Sequence, residues 1–180
     1  MKNLAISNIP SNVSIDRIIY LVEINRYNID LDRVVNKVPT ARNSKFVNCV
    51  DIKFDNHNIK VFGNGKLQVI GPYDQEITRK NINSILKNIE GAKVNQITPI
   101  YIYFKIDNLD LKKVSRYLDD HSDQDDNYGD RYKWNKSLIM IGKDKVKVNT
   151  KYEDFIDCYN FIMKSQFSWY NPFTWLSYIY

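Results

Sequence analysis

Val61-Phe62-Gly63-Asn64-Gly65-Lys66-Leu67-Gln68-Val69-Ile70-Gly71 sets two short apolar runs on either side of a glycine-flanked turn. A lysine-rich counterpart, Ile141-Gly142-Lys143-Asp144-Lys145-Val146-Lys147-Val148-Asn149, follows later in the chain. A second pair of anchors agrees with the first. Ile29-Asp30-Leu31 maps onto Leu109-Asp110-Leu111 at an offset of 80, and Gly63 maps onto Gly142 at an offset of 79. Self-similarity at a fixed spacing marks a repeated folding unit, so the chain reads as two tandem copies.

Each copy has the same order of elements. A strand opens it (about 18–24; about 98–106), and a short helix follows (31–38; 111–118) with Asp30 or Asp110 as N-cap. Three strands come next, at 46–54, 59–62 and 67–70, then at 132–134, 138–141 and 146–148. Turn residues Asp55–Asn58 separate the first two strands, and Asn64-Gly65 suits a two-residue hairpin. A longer helix closes each copy. Gly71-Pro72 suits the start of the first, whose stripe is Ile82, Ile85, Leu86 and Ile89. Thr150-Lys151-Tyr152-Glu153 reads as a capping box for the second, whose apolar face is Phe155, Ile156, Tyr159, Ile162 and Met163. The predicted divisions are 1–92 with an N-terminal arm, 93–165, and an aromatic tail at 166–180. A β-α-β-β-β-α unit places its helices on one face of its sheet and leaves the other face bare. The predicted class is therefore α+β: two such repeats forming one curved antiparallel sheet.

The totals fit a folded chain. Over 180 residues, 43% are hydrophobic and 13% aromatic, which excludes a disordered polymer. A net charge of +5 favours a polyanionic partner. The two cysteines, Cys49 and Cys158, and the two histidines, His57 and His121, lack metal-ligand spacing. The cysteines read as free thiols in a reducing compartment, and the expectation is no metal and no cofactor. We find no paired catalytic carboxylates and no nucleophile elbow, and Gly63-Asn64-Gly65-Lys66 is not a P-loop. The expectation is a non-enzyme. The N-terminus reads as lacking a signal peptide, and the tail as too short and interrupted to span a bilayer.

With the repeat in place, Val61–Gly71 resembles the typical hairpin of the TATA-box-binding protein family, with its aromatic, glycine, lysine and closing glycine. The upstream stretch Ser44-Lys45-Phe46-Val47-Asn48-Cys49-Val50-Asp51-Ile52-Lys53-Phe54 resembles the strand before it. The resemblance covers about 18–164, and its compact form is similar to versions carried by large DNA viruses. It implies a saddle whose concave sheet grips promoter duplex DNA, AT-rich by preference. Each half would carry a pair of phenylalanines that wedge between base steps from the minor groove, a use of this family that general accounts of DNA recognition already cite as an example. The resemblance assigns Phe46 and Phe62 as the first pair, facing one another across a hairpin. In the second half Ile141 stands in the phenylalanine position, and its partner has no clear match. For the residues that read the central base pairs, Asn95 or Gln96 is a candidate.

Strand parity adds the rest of the surface. With Phe62 on the bare face, Lys66, Gln68 and Ile70 follow it there, and Leu67 and Val69 face the helices. The same count puts Ile141, Lys143, Lys145, Lys147 and Asn149 outward, with Val146 and Val148 inward. Alternate lysines on a bare face can meet phosphates, and they also protect a solvated strand from aggregation. Lys147 and Gln68 stand where the family usually has small apolar groups.

The acidic stretch Asp119–Asp130 lacks the glycine and glutamate of a calcium loop and reads as a solvated loop or a contact for a basic protein. The tail folds back on its own helices or meets a partner. Other transcription factors or RNA polymerase subunits are the expected partners of the helical face and tail, with no membrane. The expected location is the nucleus or a cytoplasmic viral replication site. Two other readings stay open: a protein-interaction module that keeps the saddle without bending DNA, and an RNA-binding sheet using Tyr101 and Tyr103.

Overall fold

The computed structural model describes residues 9–45, 48–72, 74–89, 91–124 and 130–167. The order is β1 (Val13–Ile24), α1 (Leu31–Lys37), β2 (Ala41–Asn43), β3 (Cys49–Phe54), β4 (His57–Phe62), β5 (Lys66–Gly71) and α2 (Gln75–Leu86). It then repeats as β6 (Val94–Ile106), α3 (Leu111–His121), β7 (Asp123–Gln124), β8 (Arg131–Trp134), β9 (Ser137–Ile141), β10 (Val146–Lys151) and α4 (Phe155–Met163). The predicted α+β class holds, with one short extra strand per copy, β2 or β7. The chain divides into two compact units, 15–104 on the one hand and 1–14 with 105–180 on the other.

In the first unit the strands pair in the order β2-β3-β4-β5-β1-β6. Alternate residues are buried: Ile18, Tyr20, Val22 and Ile24 on β1, Ile59 and Val61 on β4, Leu67 and Val69 on β5. They form a core with Val34 of α1 and Ile82, Ile85 and Leu86 of α2. In the second unit β10-β9-β8-β7 pair in that order. Tyr132, Ile139, Val146 and Val148 are buried with Val114, Leu118, Phe155, Cys158, Phe161 and Ile162. In each unit the helices therefore cover one face of the strands and the opposite parity is left open.

The helix starts divide into those that the sequence marks and those that it does not. Asp30 caps α1 by accepting from the Arg33 N–H at 3.0 Å, and Asp110 caps α3 by accepting from Lys112 and Lys113. The cap of α2 is Asp74, which accepts from Glu76 and Ile77, each at 2.9 Å, so the helix starts later than Gly71-Pro72 suggests. Such a cap contributes about 1 kcal/mol. α2 ends at Leu86, which puts Ile89 beyond it. No capping box forms at α4, because the Thr150 hydroxyl is bound to Ser137 and a 3-10 turn over Tyr152–Asp154 intervenes. The buried stripe of α4 is Phe155, Cys158, Phe161 and Ile162, and Ile156, Tyr159 and Met163 are only partly covered.

The Val61–Gly71 hairpin closes on three residues. Val61 pairs with Leu67, the Gly65 N–H donates to the Phe62 carbonyl at 3.1 Å, and Gly65 sits at φ +83°. A left-handed glycine after a tight turn is the usual three-residue solution, and it replaces the two-residue Asn64-Gly65 turn. A side chain at Gly65 would also strike the Arg26 carbonyl. The second hairpin differs: Val146 pairs with Ile141, and the Gly142 N–H donates to the Lys145 carbonyl at 2.8 Å, leaving a two-residue turn, Lys143-Asp144. Before the turn the copies match at an offset of 80. Left-handed Asn28 and Asp55 recur as Asn108 and Asn135. After the turn the offset is 79, since Ile59 faces Val69 and Ile139 faces Val148. One turn residue fewer accounts for the change of offset, and it corrects the Gly63–Gly142 anchor: Gly142 falls in the place of Phe62.

A polar slot lies beneath each hairpin. In the first unit, His57 Nδ1 accepts from the Asn81 side-chain N–H at 3.1 Å, leaving Nε2–H to donate to Thr78 Oγ1 at 3.0 Å. His57, Thr78 and Asn81 are all buried. The imidazole lies over Gly71, where a Cβ would collide with it. In the second unit the corresponding positions hold Ser137 and Thr150, whose hydroxyls are 2.7 Å apart, with Cys158 in the place of Thr78. Burial pushes the Cys158 thiol up to about 12.

Desolvation lowers the His57 pKa from its ordinary 6.5, against the upward pull of Asp55 and Asp74. Below about pH 6.5 the unfolded chain therefore binds a proton that the folded chain refuses, and stability falls until the folded-state pKa is passed. Urea midpoints are expected to drop between about pH 7 and pH 5 in the native chain and to drop less in His57→Gln. An equal drop in both would remove His57 from the account.

Candidate nucleic-acid interface

The open face of unit 15–104 is defined by its ladders. Ile19 lies opposite Ile70, Leu21 opposite Gln68, and Glu23 opposite Lys66. On the other side of β5, Asn58 meets Ile70 and Lys60 meets Gln68. On β3, Asp51 faces Lys60 and Lys53 faces Asn58. Lys66, Gln68 and Ile70 thus share the open face with Phe62, as parity predicts. The result is a strip of partly exposed Leu21, Ile70 and Phe62 beside buried Ile19, bordered by Lys53, Lys60 and Lys66. On the adjoining strands the Arg17 guanidinium lies 5.0 Å from the Tyr103 ring centroid, and Tyr101 is exposed.

Two carboxylates share this face. Glu23 lies 3.8 Å from Lys66 and Asp51 lies 3.6 Å from Lys60. These pairs are half exposed, contribute at most about 1 kcal/mol each, and reduce the positive field of the face.

The residue across the ladder from Phe62 is Cys49. The strand turns at Asp55-Asn56, which puts a buried thiol where the facing phenylalanine was expected. Phe46 itself lies outside the described residues, as do most of the N-terminal arm, part of the acidic loop (125–129) and the tail from 168.

In the unit formed by 1–14 and 105–180, the shorter turn changes the parity count. Ile141 pairs with Val146 and falls on the helix-facing parity, so it corresponds to Val61 and not to Phe62. The position matching Phe62 is Gly142. Leu138 and Met140 occupy the open parity instead, opposite Asn149 and Lys147 on one side and Lys133 and Arg131 on the other. Lys147 and Asn149 are therefore outward, as parity predicts. Asn149 Oδ1 is covered and meets no donor among the described residues. Lys143 is exposed within the turn, and Lys145, just after it and opposite Gly142, lies 3.3 Å from Asp144 and 3.6 Å from Asp107. Those carboxylates raise the Lys145 pKa.

Gln96 is exposed on β6, and its side-chain N–H donates to Thr98 Oγ1 at 2.9 Å. The sequence reading missed Lys60 and Arg17 in the first unit, and Arg131, Lys133, Leu138 and Met140 in the second. Alternation of Arg131 and Lys133 around buried Tyr132 was the available signal. Each face thus brings an apolar strip and flanking cations together, which suits a ligand with hydrophobic edges and negative charge.

Among the described residues no group of three or more His, Cys, Asp or Glu is placed to hold a metal, and no helix is long and apolar enough to cross a membrane. No family model and no curated protein matches the chain. Among solved structures, the chain is similar to Methanococcus jannaschii TBP, with TM-score 0.68 and 19% identity over 86% of this chain and 97% of that one. A heterotetrameric sarcosine oxidase from Corynebacterium sp. U-96 aligns with TM-score 0.40 and 4% identity over 86% of this chain and 82% of that one, too low to carry an argument. The chain has the fold of a TATA-box-binding protein.

Proposed function

We propose that the chain is a TBP-like transcription initiation factor that binds duplex DNA, AT-rich by preference, through the open strand faces. The observation that carries this reading is an apolar strip lined by lysine or arginine on the helix-free parity of each unit, on a fold shared with a TBP. Phe62 is the wedge, Lys66, Lys147 and Lys60 engage phosphates, and Gln68, Ile70, Asn149 and Gln96 lie along the bases. Leu138 and Met140 take the apolar role in the second unit. The helical faces serve other transcription factors or polymerase subunits, and the site of action is wherever that transcription occurs. No catalytic step is needed.

The Glu23–Lys66 and Asp51–Lys60 pairs favour a second reading, a protein-interaction module that keeps the fold without bending DNA. An RNA-binding sheet is less well supported, because β1 beside Tyr101 and Tyr103 presents Ile19 and Leu21 in place of aromatic rings.

Fluorescence titration with AT-rich duplex, GC-rich duplex and single-stranded probes across a salt series separates these readings. Contacts to about four phosphates give a slope of about −3.6 in log K against log salt. The expected result is that slope together with tightest binding to the AT-rich duplex. Equal, weak binding to all three probes would leave only a generic basic surface.

A further inference from the structure

Beyond the residues that would meet a paired duplex, the open parity of β6 carries two aromatic rings. Ile102 and Phe104 are buried on the helix side, so Tyr101 and Tyr103 alternate with them and stand on the open face of unit 15–104. Tyr101 is exposed, and among the described residues no ring or cation stacks on it. Tyr103 is half-buried. The Arg17 guanidinium of neighbouring β1, itself 3.8 Å from Asp16, lies 5.0 Å from the Tyr103 centroid. It covers one face of that ring and leaves the other for a further ring.

The spacing of the two tyrosines decides what such a ring can be. Residues two apart on a strand stand about 6.7 Å from each other on the same face. That is twice the separation of about 3.4 Å between stacked bases, so one planar ring fits between two parallel ones. We propose that Tyr101 and Tyr103 hold a single unstacked nucleobase between them, so that the chain prefers DNA offering one unpaired base. Tyrosine rings accept any base, because every base has a π-face. Charge complementarity brings the strand to the slot. Among the described residues of this face Arg17, Lys53, Lys60 and Lys66 outnumber Glu23 and Asp51, which favours a polyanion. The slot takes one base and not a run of them, because β1 beside it presents Ile19 and Leu21.

Delivery of the base by a bound strand rests on the duplex-binding reading, and the test separates the two. AT-rich duplexes are prepared fully paired, with one bulged 2-aminopurine, and with one abasic bulge. The native chain is expected to bind the base bulge at least about fivefold more tightly than either of the others, and to quench its fluorescence. An abasic bulge also loosens the duplex but has no ring to stack, so it separates stacking from deformability. Tyr101→Leu should bring the ratio of base-bulge to abasic-bulge affinity to about one, and Tyr101→Phe should keep it high. Unfolding midpoints report whether each variant is folded. Equal affinity of the native chain for the two bulges, unquenched 2-aminopurine, or a preference that survives Tyr101→Leu would overturn the slot and leave paired-duplex binding standing. Failure to bind any of the three duplexes would overturn both.

Discussion

Gly71→Thr is expected to cost about 2–3 kcal/mol, the upper part of the range for forcing extra atoms into a packed interior. Any side chain at Gly71 meets the His57 ring, which is held by Thr78 on one nitrogen and Asn81 on the other and has no free direction to move. The second unit holds the complementary solution: a small Ser137 allows Thr150 in the matching place, and the two hydroxyls bond. Transplanting the pair should therefore recover part of the loss. In a double-mutant cycle, Gly71→Thr in a His57→Ser background is expected to cost at least 1 kcal/mol less than in the native chain. Recovery will stop short of native, because Thr78 and Asn81 lose a buried partner. Urea unfolding of the four proteins measures it. Additive costs would mean that His57 is not what excludes a side chain at Gly71.

Phe62→Ala is expected to weaken binding to AT-rich duplex by roughly 10- to 100-fold, the effect of removing a buried apolar side chain worth about 1.5–3 kcal/mol. The salt slope should stay constant, because the ring neutralises no phosphate. Lys147→Ala should do the reverse, reducing the slope by about 1 with a smaller loss of affinity. In the folded chain Phe62 is partly exposed and lies on the open face, opposite Cys49 and away from the helices, so truncating it leaves the helix-facing core intact. Circular dichroism and unfolding midpoints unchanged from native would separate loss of contact from loss of fold. Unchanged affinity in Phe62→Ala would point to the protein-interaction reading.

Much of this molecule could be read from its residues. The repeat, the aspartate caps of α1 and α3, and the open placement of Lys66, Gln68, Ile70, Lys147 and Asn149 all rest on local chemistry, side-chain acceptors before a helix and alternation along a strand. The failures have one kind of cause. Parity is counted from a turn, and a turn's length depends on backbone conformation that composition does not display. Gly63-Asn64-Gly65 holds three residues where Asn64-Gly65 suggests two, while Lys143-Asp144 closes on two. Counting outward through Gly142 therefore put Ile141 on the wrong face. The partner of Phe62 moved for the same reason, since the Asp55-Asn56 turn sets Cys49 across from it. At α4 the competing term was burial. Phe161 and Cys158 were preferred inside over Tyr159, whose hydroxyl instead donates to Asn12 at 3.1 Å.

The two slots beneath the hairpins also differ in what they make of hydrogen-ion concentration. One is closed by an imidazole whose pKa burial lowers, the other by two hydroxyls and a thiol pushed to about 12. Mild acid therefore strains α2's seat on its strands and leaves the α4 slot electrically silent. Acidification is therefore expected to weaken unit 15–104 more than the unit that holds α4.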